Sequence, residues 1–217
     1  MVHHQMIIGS GLVANGLHDM PGVIQYAAGV SNSRCEDEEE FSRDKARLAS
    51  NLSKPGRFVY FSTCTPTESA YVDHKRACEQ MVVDRGDYLI CRLPIVAGKT
   101  WNPHTLLNFL YSRIARSEKF DLIPEARRNI IDMIDVSTIV RWLIKSGAKD
   151  ETVNIAAPMD YSMREIVGQF ESLLNKPAIV KEREGGHEPR IDVSRIADAP
   201  VCWDGEYLGS ILWKRYG

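Results

Sequence analysis

The sequence has no excess of basic residues and no long apolar run. Its 27 lysines and arginines stand against 29 aspartates and glutamates, which gives a net charge of −2. The chain therefore lacks the positive charge with which proteins neutralise many phosphates of a nucleic acid. No apolar stretch approaches the roughly 20 residues that cross a bilayer. These absences argue against a nucleic-acid-binding protein and against a membrane protein.

Cysteine is sparse and shows no pairing pattern. The chain has five cysteines and no Cys-x-x-Cys, namely Cys35, Cys64, Cys78, Cys91 and Cys202. An odd number of scattered cysteines predicts neither a disulfide framework nor a zinc site. The six histidines, including the adjacent His3 and His4, do not show the spacing of metal ligands either. The N-terminus also lacks the basic and apolar regions of a secretory signal. We therefore expect free thiols, no bound metal and a cytoplasmic location.

The sequence does contain a regular alternation of short apolar runs and helical patterns. The apolar runs predict strands at 5–8, 23–28, 57–62, 88–93, 152–155 and 178–180, and the helical patterns fall at 36–52, 71–83, 106–114, 136–144 and 162–174. This alternation is typical of an α/β fold, in which a mainly parallel sheet carries helices on both faces. Because the chain becomes more polar near 146–151, we expect a core over 1–150 and a small C-terminal region over 151–217.

A glycine motif follows the first predicted strand directly. Residues 9–14 read Gly-Ser-Gly-Leu-Val-Ala, a G-x-G-x-x-A pattern. Such a turn lets backbone N–H groups approach a pyrophosphate at a helix N-terminus. The alternative is a simple turn, and the dinucleotide pattern is incomplete here. The acid expected about 20 residues on, at the end of a second strand, is absent, because Asp19 lies in a turn-like segment.

A second motif, Tyr71-Val72-Asp73-His74-Lys75, lies on a predicted helix. Residues four apart share one helix face, so the Tyr71 hydroxyl and the Lys75 ammonium project together. A nearby positive charge lowers the pKa of a phenol, which would let Tyr71 act as a general acid or base. Ser62 or Thr63, at the end of the preceding strand, could hydrogen-bond the reacting oxygen. The alternative is a solvated Tyr–Lys pair, since this spacing is common by chance.

Six segments, taken in order, resemble the extended short-chain dehydrogenase/reductase family, and within it the nucleotide-sugar epimerases and dehydratases. Gly9–Gly11 resembles the family's nucleotide-binding turn, Ile24–Ala28 its His-Leu-Ala-Ala strand and Phe61–Thr63 its Ser/Thr strand. Tyr71–Lys75 resembles the family's Tyr-x-x-x-Lys helix, and Cys91–Gly98 resembles its Leu-Arg-x-x-Asn-Val-Tyr-Gly strand. Arg128–Val136 resembles its Arg-Asp-Phe-Ile-His-Val-x-Asp-Val segment. The resemblance implies a Rossmann-like fold, NAD or NADP as cofactor, a nucleotide-sugar substrate and a homodimer.

The resemblance also implies roles for individual residues. Tyr71, Lys75 and Thr63 would be catalytic, with Ser62 as the second choice for the strand-end hydroxyl. Arg128 and Asn32 would bind the substrate. The cofactor would be held by Gly9, Ser10, Gly11, Leu12, Val13, Ala27, Ala28, Gly29, Lys75, Leu93, Pro94 and Ile95.

The chain departs from the family pattern in its N-terminal half. Only about a dozen residues separate the glycine turn from the Ala-Ala strand, so the family's second and third strand–helix units cannot fit, and the first strand should lie at a sheet edge. Cys64-Thr65 replaces the Asp-Glu of the sugar 4,6-dehydratases, which argues against dehydration, and Ile95 replaces an Asn.

Two functions from different classes remain open on this evidence. The first is an NAD(P)-dependent epimerase or ketoreductase of polysaccharide precursor synthesis, with Tyr71 as general acid/base. The second is a non-catalytic descendant that binds a ligand or a partner protein.

Overall fold

A computed structural model of the chain describes residues 6–65, 67–98, 100, 102, 105–186 and 191–217. The histidines at positions 3 and 4 and the predicted strand start at Gln5 lie outside the described residues. The helices are α1 (Leu12–Gly16), α2 (Glu38–Leu52), α3 (Ala70–Arg85), α4 (Leu106–Ala115), α5 (Met133–Lys145), α6 (Met163–Leu174) and α7 (Tyr207–Tyr216). The strands are β1 (Ile7–Ile8), β2 (Val23–Tyr26), β3 (Arg57–Thr63), β4 (Tyr88–Leu93), β5 (Ile95–Ala97), β6 (Phe120–Leu122), β7 (Arg127–Arg128), β8 (Ile130–Asp132), β9 (Glu151–Asn154), β10 (Tyr161–Ser162) and β11 (Val180–Glu182).

The chain forms two compact units whose sequences interleave. Unit 1 comprises residues 1–94, 133–155 and 192–201, and unit 2 comprises 95–132, 156–191 and 202–217. This division differs from the expected boundary between 150 and 151. The physical reason is that β9 pairs in parallel with β4 in unit 1, so the segment from α5 to β9 returns to the sheet after the chain has built part of unit 2.

Unit 1 is built on a parallel five-stranded sheet of order β1-β2-β3-β4-β9. The fold is therefore the predicted Rossmann-like α/β arrangement. Within the described ranges no strand pairs outside β1, which confirms its predicted position at the sheet edge. All these strands run in the same direction, so their C-terminal ends lie along one edge of the sheet, where ligands of such folds bind.

The helices α2 and α3 cover one face of this sheet. Their contact with the strands is a buried apolar cluster of Ile24, Tyr26, Leu48, Phe58, Tyr60, Cys78, Val82 and Ile90. Residues that alternate with these, such as Val59, Leu89 and Cys91, are equally buried. Burial on both faces is what a parallel sheet requires, and it explains the continuous apolar runs of β3 and β4.

Side chains of the sequence determine where α2 and α3 begin and end. Asp37 accepts hydrogen bonds from the backbone N–H groups of Glu39 and Glu40 and so caps α2. Ser69 accepts from the N–H of Val72 and caps α3. The latter helix ends at Gly86, whose φ of 73° is easily adopted only by glycine. Tyr71 and Lys75 consequently lie in the first two turns of α3.

Unit 2 contains three two-stranded sheets, β5–β8 and β6–β11 in parallel and β7–β10 antiparallel. Its helices α4, α6 and α7 pack around a buried apolar cluster that includes Leu107, Leu110 and Phe170. A capping box is present at the start of α6, since Ser162 and Glu165 satisfy each other's backbone N–H groups. No helix among the described residues is long and apolar enough to span a membrane.

Candidate functional site

The glycine turn lies at the sheet edge, between β1 and α1. Gly9 has a φ of +133°, and a Cβ built there would lie 2.4 Å from the carbonyl oxygen of Ala27, so only glycine fits between the two strand ends. Gly11 caps α1, and a Cβ built on it meets nothing within 4 Å. The first N–H groups of a helix have no partner within it. The turn thus brings the first N–H groups of α1 beside the space that the described residues leave open at Gly11, which is the arrangement that a pyrophosphate group would require.

The four predicted catalytic residues lie in unit 1, close to the end of β3. Ser62 and Thr63 are its last two residues, and Tyr71 and Lys75 follow on α3. All four side chains are buried, with Lys75 only 4% exposed. The Lys75 Nζ lies 5.9 Å from the centre of the Tyr71 ring and 5.4 Å from that of Tyr60. The hydroxyls and the amine are thus collected near the strand ends rather than dispersed on a solvated surface.

Burial dominates the protonation of Tyr71. It raises the pKa of Tyr71 to about 12, against the opposing effects of the Thr63 hydroxyl and the Arg76 guanidinium. The sequence predicts the reverse, a phenol whose pKa is lowered by Lys75. Burial instead lowers the pKa of Lys75 itself, because an ammonium is poorly solvated inside a protein. In the unliganded chain Tyr71 is therefore protonated at neutral pH and can donate its proton.

A charged cluster beside the site anchors the end of β3. Arg76 donates to the Thr63 carbonyl at 3.1 Å and to the Ser62 hydroxyl at 3.5 Å, and it also pairs with Glu79. Glu79 accepts two hydrogen bonds from Arg92 of β4, at 3.0 and 2.6 Å. Burial alone would raise the pKa of Glu79, but these hydrogen bonds and the two guanidinium groups lower it overall. Arg76 belongs to none of the motifs that are visible in the sequence.

A second network, which the sequence analysis also missed, centres on Asp44 of α2. Its carboxylate accepts from the Val30 backbone N–H at 3.1 Å and from the Tyr26 hydroxyl at 3.3 Å, and its Oδ2 lies 2.8 Å from the Nε2 of His74. The His74 ring stacks on Phe41, with centroids 4.4 Å apart. A signal was available, because Asp44 is a charged residue within the apolar stripe that Phe41 and Leu48 form at helical spacing.

Within the described part of the chain, one group of side chains has the composition of a metal site. The ligand atoms of Asp44, His74 and Cys78 lie within 4.8 Å of one another, and all three residues are buried. However, Asp44 Oδ2 already lies at hydrogen-bond distance from His74 and accepts from the Val30 N–H. These contacts favour a hydrogen-bonded network over a cation site. The absence of a bound metal stays a prediction.

The other predicted site residues fall in both units. Ala27, Ala28 and Gly29 directly follow β2, and Leu93 and Pro94 end β4, all in unit 1. Asn32 is exposed and accepts a hydrogen bond from the Arg34 N–H.

Ile95 and Arg128 belong to unit 2. Arg128 donates to the Arg127 carbonyl, and burial lowers its pKa. The roles assigned to all of these residues stay predictions.

Comparison with known proteins gives matches in structure alone. No protein-family model and no curated protein matches the sequence. UDP-glucuronic acid 4-epimerase from Bacillus cereus, solved with NAD and a fluorinated UDP-sugar, superposes with a TM-score of 0.71 at 14% identity, over 99% of this chain and 79% of that chain.

Two further enzymes superpose comparably. UDP-glucose 4-epimerase from Thermotoga maritima, solved with UDP-glucose, gives a TM-score of 0.68 at 15% identity over 90% of this chain and 77% of that one. For dTDP-glucose 4,6-dehydratase from Bacillus anthracis, solved with NAD, the TM-score is 0.68 at 16% identity, over 89% of this chain and 72% of that chain. The chain therefore has the fold of the nucleotide-sugar epimerases and dehydratases.

Proposed function

We propose that the protein is an NAD(P)-dependent epimerase or ketoreductase that acts on a nucleotide sugar. The observation that carries the proposal is the burial of Ser62, Thr63, Tyr71 and Lys75 together near the end of β3. Burial of an unpaired lysine costs free energy, and titratable groups in such surroundings are concentrated at functional sites. The fold shared with enzymes that bind NAD and UDP-sugars supports the same conclusion.

The residues of unit 1 fit part of a dinucleotide. The turn over Gly9–Val13 would hold the pyrophosphate, Ala27–Gly29 together with Leu93 and Pro94 would lie along the cofactor, and Lys75 would bind the nicotinamide ribose. When bound, NAD(P) supplies the hydride acceptor or donor. The described sheet ends at β1, so this chain offers no second strand for the adenine ribose. We therefore propose weak cofactor binding and leave NAD and NADP as alternatives.

The protein's own residues would move one proton. In the reducing direction Tyr71, protonated at neutral pH, gives its hydroxyl proton to the carbonyl oxygen of the sugar as a hydride reaches the carbonyl carbon. In the oxidising direction the sugar hydroxyl returns that proton to Tyr71 while its carbon loses a hydride. Thr63, with Ser62 as the second choice, would donate a hydrogen bond to the same oxygen. An epimerase performs both steps at one carbon, and a ketoreductase performs only the first.

The structure carries one observation in favour of a non-catalytic descendant. The β1 edge of the sheet has no neighbour in the described part of the chain, so the half of the sheet that would hold adenine is missing. A protein that had lost its cofactor would need no titratable phenol, and replacing Tyr71 would then leave ligand or partner binding unchanged. The two functions are thus distinguished by the same variant.

We further propose a cytoplasmic homodimer of polysaccharide precursor synthesis. Five free cysteines are typical of a reducing compartment. The dimer would form through α2 and α3. Of the apolar residues on α3, Val82 is part of the unit 1 core, whereas Val72 and Met81 are half-buried and Val83 is exposed. An interface would therefore use the latter three.

The test is a turnover assay on a panel of UDP-, dTDP- and GDP-sugars and their keto forms, with NAD(H) and NADP(H) supplied separately. Nicotinamide absorbance follows net reduction, and NMR of the sugar detects epimerisation, which consumes no cofactor. We expect turnover of at least one sugar by the wild-type protein and by Tyr88→Phe, a tyrosine at the start of β4, but not by Tyr71→Phe. Equal turnover by all three proteins would contradict the assignment of Tyr71.

A further inference from the structure

Lys75 is a buried amine without a close carboxylate. It is 4% exposed, and no Asp or Glu oxygen of the described residues lies within ion-pair distance of its Nζ. The proposed chemistry needs the ammonium form, both to bind a ribose and to favour the Tyr71 phenolate. Burial alone works against that form. A negative charge near Lys75 would oppose this effect of burial and favour the ammonium form.

Asp44 has the properties of that negative charge. It is buried on α2, and its two oxygens are held by the Val30 N–H, the Tyr26 hydroxyl and His74. A backbone N–H can only donate, so the carboxyl group acts as an acceptor, as an ionised carboxylate does. His74 offers its Nε2, and its buried Nδ1 has no hydrogen-bond partner among the described residues. This arrangement fixes the carboxylate in one orientation.

Gly29 leaves the space between Asp44 and Lys75 open. A Cβ built on Gly29 would lie 2.7 Å from the Lys75 Nζ and 3.4 Å from the Asp44 Oδ2. The amine and the carboxylate therefore approach the same point from two sides, and no side chain stands there. Any residue larger than glycine would press on the amine. Gly29 and Asp44 also line a cavity of about 350 Å³ at the end of β2.

We propose that Asp44 is a positioning residue that keeps Lys75 protonated across the gap at Gly29. The inference rests on the proposed function, because it gives a role to the charge of Lys75. In a low-dielectric interior a charge several ångströms away still acts strongly. The titratable or charged groups that face this pair from the packed elements are, among the described residues, Tyr26, Glu40, Arg43, Lys45, Arg47, Tyr60, Tyr71, His74, Cys78 and Glu79.

The direct test is an NMR titration of Lys75 in the unliganded protein labelled with ¹³C- and ¹⁵N-lysine, with the signal assigned by its loss in Lys75→Met. We expect the midpoint of the Lys75 titration to fall by about one pH unit or more in Asp44→Asn. The matched control is Asp73→Asn, which removes an exposed carboxylate two residues from Lys75 on the same helix. It should leave the midpoint unchanged. An unchanged midpoint in Asp44→Asn would overturn the proposal.

A second variant guards against misfolding of Asp44→Asn. Gly29→Ala keeps the carboxylate but places a methyl group 2.7 Å from the position of the Lys75 Nζ, so the amine must shift, and we expect this variant also to lower the Lys75 midpoint. If both variants unfold, substitution of Tyr26 by Phe removes one hydrogen bond from Asp44 and should lower the midpoint by a smaller amount. An unchanged Lys75 midpoint in every variant that folds would contradict the role of Asp44.

The titration does not depend on turnover, so failure of this inference is distinguishable from failure of the proposed function. If a substrate is found, Asp44→Asn should lower kcat at neutral pH and shift the pH profile, with less effect on KM for the sugar. A normal pH profile in Asp44→Asn, with a lowered Lys75 midpoint, would show that the charge of Lys75 does not limit the reaction and would overturn the positioning role.

Discussion

Burial and hydrogen bonding shift the pKa of Tyr71 in opposite directions. Burial raises the pKa to about 12, while Thr63 and Arg76 act to lower it. The phenol is thus a proton donor at neutral pH and becomes a base only when it loses that proton. In the proposed reaction, a phenol in this state favours reduction of a ketone over oxidation of an alcohol.

This asymmetry predicts different pH profiles in the two directions. The reducing rate should be flat between about pH 6 and 9, because Tyr71 stays protonated below its raised pKa. The oxidising rate should rise about tenfold per pH unit over the same range, as the phenolate fraction increases. Initial rates of the reducing and the oxidising reaction, each at saturating cofactor, measure the two pH profiles. An oxidising rate that levels off near neutral pH would show that the pKa of Tyr71 in the working complex is not raised.

The two hydroxyls of the site should differ in their contribution to rate. Tyr71→Phe keeps the ring and removes the proton donor, so we expect turnover to fall by about 10²- to 10⁴-fold. Thr63→Val removes one hydrogen bond to the reacting oxygen and should cost less, because Ser62 is adjacent. Steady-state kinetics on the folded Tyr71→Phe and Thr63→Val proteins compare the two losses of turnover. A Thr63→Val loss equal to that of Tyr71→Phe would contradict the assigned roles.

Individual residues of the site were predictable where they belong to a local motif. The spacing of Tyr71 and Lys75 on one helix and the strand-end position of Thr63 are visible in sequence. Asp44 was not identified, because its partners Tyr26, Val30 and His74 lie 14 to 30 residues away and only the fold brings them together. The direction of the Tyr71 pKa was also wrong, since sequence shows a neighbouring charge but not the degree of burial.

Between elements, one side chain joins the ends of α2 and α3 to the start of β3. The Arg85 guanidinium donates to the carbonyls of Leu52, Lys54 and Gly56, at distances between 2.6 and 2.8 Å. It also donates to Gly86 and Asp87, and it lies over the Phe58 ring. These carbonyls lie at helix ends or in turns, where carbonyls lack a partner within a helix, although the Asp87 carbonyl also accepts from the Phe58 N–H at 2.9 Å. Arg85 therefore holds the two helices that carry the site.

Replacing Arg85 should destabilise the fold measurably. We expect Arg85→Gln to lower the free energy of unfolding by about 2 kcal/mol, because several carbonyls lose their donor at once. The control is Arg43→Gln, whose ion pair with Glu39 is exposed at 3.8 Å and should change stability by less than about 0.5 kcal/mol. Urea denaturation followed by circular dichroism measures both. Equal stability of the two variants would contradict the role given to Arg85.

Elements with local signals were predicted well, and elements formed by distant pairing were not. The buried strands and the capped helices α2, α3 and α6 match the sequence pattern to within a few residues. Helix α7 was missed, since Glu206 at its start makes no side-chain cap and the helix is stabilised by packing against α6. Strands of two or three residues, such as β7 and β10, have no periodicity to detect and exist only through their partners.

At the scale of the whole molecule, the chain interleaves its two units, and composition along the sequence cannot show this. The polar segment near residue 150 is a turn that leads into β9, and the chain passes from unit 1 to unit 2 after that strand, between residues 155 and 156. The shortened N-terminal half was predictable, because a dozen residues cannot hold two strand–helix units. It leaves β1 at the edge of the described sheet, and such an edge favours association with a second chain or a cover.

The proposed dimer is tested by light scattering after size exclusion. We expect a mass of twice the chain, and a single chain for Val83→Glu, because a charge would be buried in the interface between the α3 helices. Ile179→Glu is the control, since Ile179 is likewise exposed, at 46% against 37% for Val83, but lies in unit 2. A wild-type protein that elutes as a single chain at tens of micromolar would contradict the dimer.

The most direct test of the central claim is whether the purified protein binds NADH or NADPH. The nicotinamide fluorescence of each cofactor is titrated with wild-type protein, Lys75→Ala and the control Lys149→Ala, whose side chain is exposed in a surface ion pair. The account predicts saturable binding of one cofactor per chain, weakened at least about tenfold by Lys75→Ala and unaffected by Lys149→Ala. No binding up to about 1 mM, or equal binding by all three proteins, would contradict it.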